Sequence, residues 1–257
     1  MERIRKNVIV MYLAIIIGTF CVTTIDCKAA IYVPDNDYNF LIYKDDLNEE
    51  DADYNVLFIG NSITFHPPCA YWWGSCGMAA SEPSKDYVHS VVTMLEETNE
   101  SVNYDIIQFS AWKHPECGTK ILPNIEGILN NQYNLVVIQL GDNANDMVDF
   151  ENEYENLVKF VKKKIPGAKI ILVSDFWNKK GRDAMKLEVS MRQGCSYVDI
   201  PSYKDDNYYY CVGQEASVLG DDGEYHIITF PPVSVHPNDK GMEIIAERIM
   251  ESVRNQQ

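Results

Sequence analysis

A chain of 257 residues, 46% hydrophobic and 23% charged, is long enough for one sizeable α/β core and carries no low-complexity run or internal repeat. Its formal charge of −16 argues against nucleic acid or an anionic membrane surface as a partner, because both would repel it.

The N-terminus reads separately from the rest. Arg3, Arg5 and Lys6 precede an apolar run from Val8 to Val22, and the small residues Ala29 and Ala30 follow. That order reads as a secretory signal peptide over residues 1–30, with Cys27-Lys28-Ala29 as a cleavage site. The mature protein is then expected to be secreted or held at the cell surface. The run is about fifteen residues, short of the roughly twenty that a membrane span needs. An uncleaved N-terminal anchor is the alternative, and it would be the chain's membrane contact. Residues 31–54, rich in Asp, Glu, Asn and Tyr, read as an acidic leader into a domain over residues 55–257.

Within that domain, short apolar runs alternate with amphipathic stretches. The strand candidates are Val56–Ile59, Tyr104–Phe109, Leu135–Leu140, Lys169–Val173 and Tyr197–Ile200. The helical candidates between and after them are Lys85–Glu97, Lys120–Asn130, Val148–Lys164, Arg182–Arg192 and Met242–Val253. The third of these places Phe150, Tyr154, Leu157, Val158, Val161 and Ile165 on one face, with acidic residues early and Lys162 to Lys164 late, as the helix dipole favours. Repeated strand–helix alternation predicts a parallel sheet covered on both faces, and ligands in such folds sit at the carboxyl ends of the strands.

Three segments at those points carry chemistry: Gly60-Asn61-Ser62, Gly141-Asp142-Asn143, and His236-Pro237-Asn238-Asp239-Lys240-Gly241. They supply a hydroxyl nucleophile, a neutral amide donor and a base. Singly, each has a plainer reading as a helix cap, a loop residue or a surface histidine. Their joint order along one α/β chain is what points to catalysis.

Together these segments resemble the SGNH hydrolases, also called GDSL esterases and lipases, over about Asn55 to Val253. The stretch Trp73-Gly74-Ser75-Cys76-Gly77-Met78-Ala79-Ala80-Ser81, followed by Lys85-Asp86-Tyr87-Val88-His89, is similar to one extracellular bacterial branch. The resemblance implies a three-layer α/β/α sandwich with a five-stranded parallel sheet, flavodoxin-like. It also implies Ser62 as nucleophile, His236 as general base and acid, and an oxyanion hole made by Asn143 and the Ser62 N–H. The family's second block supplies a further N–H from a glycine. Here Ser110-Ala111-Trp112 stands there, so Ala111 would supply it; Gly118 fits less well.

A sharper departure is at Val233, where the family usually has the aspartate that orients the histidine. Three arrangements are open: a Ser–His dyad oriented by a backbone carbonyl, a carboxylate from Asp221, Asp222 or Glu224, or an inactive site. The implied activity is hydrolysis of small acyl esters without metal or cofactor. Acetyl groups on a polysaccharide are the preferred substrate, which would make an acylated polysaccharide the partner. Alternatives are a lipid esterase, an acyltransferase using the same serine, and a non-catalytic carbohydrate-binding derivative of the fold. Trp72, Trp73 and Trp112 are candidates for an aromatic substrate rim. Tyr71 and Tyr208 to Tyr210 are weaker candidates, and His66 is a candidate pocket wall.

The cysteines beyond the leader are Cys69, Cys76, Cys117, Cys195 and Cys211, an odd number that leaves at least one thiol free. Cys69 and Cys76 could bridge the loop after the serine. The acidic spacing at Asp35–Asp46 and at 141–146 lacks the glycine and terminal glutamate of a calcium loop, and both read as solvated loops.

Overall fold

The computed structural model describes residues 41–45, 52–113, 118–130, 132–144, 148–177, 181–201 and 210–255. The segment read as a signal peptide and most of the stretch read as an acidic leader therefore lie outside the described residues. Among the described residues no helix is long and apolar enough to cross a membrane.

The main sheet contains β1 (Leu41–Asp45), β2 (Tyr54–Gly60), β3 (Val102–Phe109), β4 (Leu135–Gln139), β5 (Lys169–Val173) and β6 (Ser196–Val198), in the spatial order β1-β3-β2-β4-β5-β6. From β3 to β6 across the sheet every pairing is parallel, while β1 joins the outer edge of β3 antiparallel. The five parallel strands are those expected. The sixth corrects the sequence reading, because part of the acidic leader is an edge strand of the sheet. Its backbone completes the hydrogen bonding that β3 would otherwise leave open.

The central strands are apolar at nearly every position because both their faces are covered. Leu57 and Ile59 of β2 pack on one side with α2 (Phe150–Lys164) and α3 (Arg182–Gln193), whereas Val56 and Phe58 pack on the other with α1 (Tyr87–Glu96) and α4 (Asp239–Arg254). The fold is thus a three-layer α/β/α sandwich. The apolar stripe predicted for α2 is the one it buries: Phe150, Tyr154, Leu157, Val158 and Val161. The segment expected as a helix over Lys120–Asn130 is instead two 3-10 stretches, Gly118–Ile125 and Ile128–Asn130, with Pro123 inside the first. Proline there removes a backbone donor and clashes with the preceding turn of an α-helix.

A third apolar cluster sits beyond the sheet. It joins Trp72, Cys76, Met78 and Ala79 of the loop after β2 to Val218, Ile228 and Val233 around a small hairpin of β7 (Ser217–Leu219) and β8 (Tyr225–Ile227). Strand order reverses direction at β2: the chain leaves it for β3 on one side and returns to β4 on the other. In this class of sheet the crevice at that switch point is where ligands bind.

Candidate active site

The register places Gly60 beside Gln108 of β3 and Gln139 of β4, so the three strands end in one row. Ser62, Ala111 and Asn143 each lie a few residues past that row. Gly60 has no space for a side chain, since a Cβ would lie 1.8 Å from Thr64 Oγ1 and 2.8 Å from the Gln139 carbonyl. The turn then closes on the Asn61 carbonyl, which accepts from Thr64 N at 3.0 Å and Phe65 N at 2.9 Å. Ser62 is held at the strand end by its own carbonyl, which accepts from Met78 N at 2.7 Å.

Ser62 Oγ is 2.9 Å from His236 Nε2. His236 Nδ1 lies 2.9 Å from the Pro232 carbonyl. A carbonyl can only accept, so Nδ1 carries the ring proton and Nε2 is the bare nitrogen that accepts from the serine hydroxyl. The 3-10 turn Val233–Val235 creates this geometry by bringing the carbonyl four residues back under the ring, and His236 N also donates to the Val233 carbonyl at 3.0 Å. Of the three arrangements open from the sequence, the observed one is orientation by a backbone carbonyl. The candidate carboxylates are engaged elsewhere or exposed: Asp221 accepts from Ser75 N and Oγ, Asp222 bonds His226, and Glu224 faces solvent.

Val233 has no side-chain acceptor to offer the imidazole. It is fully buried in the third apolar cluster with Trp72, Val212, Val218 and Ile228. Burial, opposed by the Pro232 carbonyl and aided by nearby His66, pushes the His236 pKa down to about 4. The ring is therefore neutral at neutral pH, with Nε2 unprotonated and able to accept. The His236 carbonyl accepts from Val212 N at 3.1 Å, and two residues on the Asn238 side chain caps α4 by accepting from Gly241 N and donates to the Cys211 carbonyl.

Gly141 opens the turn bearing Asn143 with a φ of +121°, a conformation that L side chains rarely adopt. Asp142 is buried; one oxygen accepts from Trp177 N and the other from Gln139 Nε2, so this part of 141–146 is an internal turn and not a solvated loop. Burial, with Asp175 nearby, raises the Asp142 pKa well above the usual carboxylate range. Asn143 is half-buried, and its amide makes no hydrogen bond to a described residue. Ala111 is buried in the 3-10 turn Ser110–Lys113 at the end of β3.

The aromatic rim needs correction. Trp112 is fully buried between Phe150 and Tyr154, and Trp72 is 1% exposed with its indole donating to the His66 carbonyl. Neither can stack on a ligand from solvent. Trp73 is half-buried and lies flat on His226, with ring centroids 4.7 Å apart. His66 is 5% exposed with Nδ1 on the Pro67 carbonyl. Tyr71 is half-buried and stacks on Phe230, while Tyr208 and Tyr209 lie outside the described residues. Trp177, which the sequence reading passed over, meets the His236 ring edge-on at 4.9 Å and donates from its indole to the Val235 carbonyl. The signal for it was position alone: Asp175-Phe176-Trp177 follows β5 at the same carboxyl edge. Cys69, Cys76, Cys195 and Cys211 are free thiols, so the bridge considered between Cys69 and Cys76 is not formed; Cys117 lies outside the described residues.

No protein-family model and no curated protein matches the sequence. Solved structures do. A two-domain esterase (CEX) active on acetylated mannans superposes with a TM-score of 0.53 at 19% identity, over 79% of this chain and 48% of that one. The same esterase co-crystallised with mannopentaose gives 0.54. The salicylyl-acyltransferase SsfX3 from a tetracycline biosynthetic pathway gives 0.51 at 16% identity, over 81% of this chain and 57% of that one. This chain has the SGNH hydrolase fold. It spans about half the length of the two-domain esterase it matches. At the carboxyl edge of its sheet Ser62 meets the neutral ring of His236, and the half-buried Asn143 lies on the turn after β4.

Proposed function

We propose that the protein is an extracytoplasmic serine esterase that hydrolyses small acyl esters, with acetyl groups on a polysaccharide as its substrate. The observation that carries this reading is the 2.9 Å contact between Ser62 Oγ and His236 Nε2, with Nδ1 anchored on the Pro232 carbonyl. His236 takes the hydroxyl proton as Ser62 Oγ attacks the ester carbonyl carbon. The tetrahedral oxyanion is met by the N–H groups of Ser62 and Ala111 and by the Asn143 amide. Collapse expels the alcohol, which receives the proton from His236, and leaves an acyl-serine. Water, deprotonated by the same imidazole, then repeats the sequence and releases the acid.

The absence of an aspartate does not empty the site of its base. A carbonyl fixes the tautomer as a carboxylate would, although it offers a dipole and not a full charge to the imidazolium. That argues for a slower esterase over an inactive derivative. The polysaccharide preference is supported by the signal-like order of the N-terminal sequence, by the Trp177 ring beside His236, and by the acetylated-mannan activity of the structural neighbour. An acyltransferase would use the same acyl-serine with an alcohol in place of water, as the likeness to an acyltransferase allows.

The test is hydrolysis of p-nitrophenyl acetate and of an acetylated mannan by the wild type, Ser62→Ala and His236→Ala, alongside labelling by a fluorophosphonate. Loss of hydrolysis by about three orders of magnitude or more in either variant, and of labelling in Ser62→Ala, is expected. Wild-type rates in Ser62→Ala would sink the reading.

A further inference from the structure

The side chain proposed to stabilise the oxyanion, Asn143, has no partner among the described residues, so its aim is inherited from its backbone. That backbone is gripped from inside the protein. Arg182, the first residue of α3, sends one guanidinium nitrogen to the Gly141 carbonyl and another to the Ala144 carbonyl at 2.8 Å. These two carbonyls bracket Asp142 and Asn143. The guanidinium is itself fixed on two further sides: Asp175 Oδ2 lies 3.2 Å away, and the Phe150 ring lies 4.7 Å beneath it. Asp175 is held in turn by Lys186, 2.5 Å away, which also donates to the Val173 carbonyl at 2.9 Å. All three charged side chains are buried, with Asp175 and Lys186 at 0% exposure.

We propose that Arg182 is a positioning residue for ester hydrolysis: its planar fork fixes both ends of the Gly141–Ala144 turn and thereby aims the Asn143 amide at the oxyanion. The proposal rests on the esterase reading of the site above. A lysine cannot replace it, because an ammonium has neither the planar fork nor the span to hold two carbonyls and a carboxylate at once. The chain of support runs from Val173, the last residue of β5, and Asp175 two residues beyond it, through Arg182 to the turn after β4, so the frame is rooted at the sheet edge. Since an amide misplaced by about 1 Å loses much of its effect, the frame bears on the transition state more than on substrate binding.

The experiment is a double-mutant cycle on p-nitrophenyl acetate and an acetylated mannan, with wild type, Arg182→Lys, Asn143→Ala and the double variant, each also melted thermally. Expected is a drop in kcat of about 10- to 100-fold for Arg182→Lys with KM held, and of about 100- to 1,000-fold for Asn143→Ala. The double variant should be no slower than Asn143→Ala alone by more than about twofold, because removing the amide removes what the guanidinium aims. Losses that multiply, or a rise in KM with kcat held, would overturn the proposal. Arg182→Gln serves as the second variant. If neither substitution yields a cooperatively melting protein, the guanidinium is a structural tie and the positioning role is overturned. Ser62→Ala separates the two levels: if it hydrolyses like wild type, the site reading fails and takes this proposal with it. If it is dead while the cycle is multiplicative, only the role of Arg182 falls.

Discussion

Restoring the family's aspartate by Val233→Asp is expected to weaken the protein without speeding it. Val233 is fully buried in an apolar cluster with Trp72, Val212, Val218 and Ile228, whose one side-chain donor, the Trp72 indole N–H, is already given to the His66 carbonyl. Losing a buried valine costs about 1.5–3 kcal/mol, and burying an unbonded polar group in its place costs about 1–3 kcal/mol more. The sum, about 4 kcal/mol, is a large part of the roughly 5–15 kcal/mol that holds a domain together. In a domain of this size it corresponds to a fall in Tm of about 10 °C or more. The penalty has a pH signature. The introduced acid would have its folded pKa raised above its unfolded value near 3.9, so the cost is least below that pH and grows as the pH rises. The assay is a thermal melt of variant and wild type from pH 4 to 7, with ester hydrolysis measured on the same samples. The Tm gap should narrow toward pH 4, and kcat should not rise at any pH. A variant that melts like wild type and turns over faster would refute the reasoning, because the carboxylate would then have turned to Nδ1 and displaced the Pro232 carbonyl.

Three further outcomes follow from the structure. With the His236 pKa held down to about 4, the acid limb of kcat/KM should fall near that value and not near 6.5; a limb at 6.5 in the free enzyme would show the ring to be solvated. In stability the sign is that of a base buried neutral. The contribution is complete above pH 6.5 and is lost as pH falls toward 4, amounting to about 3 kcal/mol, and Phe or Gln at this position should flatten that part of the Tm–pH curve. Gly60→Ala places a Cβ against Thr64 and the Gln139 carbonyl, and should lower stability by about 1–3 kcal/mol while displacing Ser62. An unchanged melt with wild-type hydrolysis would show that the turn has more room than the contact distances allow.

Much of this protein could be read without its fold. The central strands announce themselves because a strand covered on both faces must be apolar throughout, and α2 and α4 do so because a helix with one buried face must repeat its apolar residues with the helical period. Ser62 and His236, which pack 2.9 Å apart, and the candidate Asn143 stand out for a related reason, each lying in a short glycine- or proline-marked segment at the end or beginning of an element. What depended on chain segments far apart was not legible. Leu41–Asp45 is a strand only because β3 offers it an edge. Trp72 and Trp112 looked like ligand-stacking residues, yet the tertiary packing buries both, and it leaves Trp177 against the histidine instead. The group that orients His236 is a backbone carbonyl, which every residue possesses and no sequence pattern marks. Arg182 reads as one more charge at a helix start until α3 docks and brings its guanidinium to the two carbonyls around Asn143. Local periodicity and turn chemistry are written residue by residue, whereas burial, backbone acceptors and the aim of a buried charge exist only once the layers have packed.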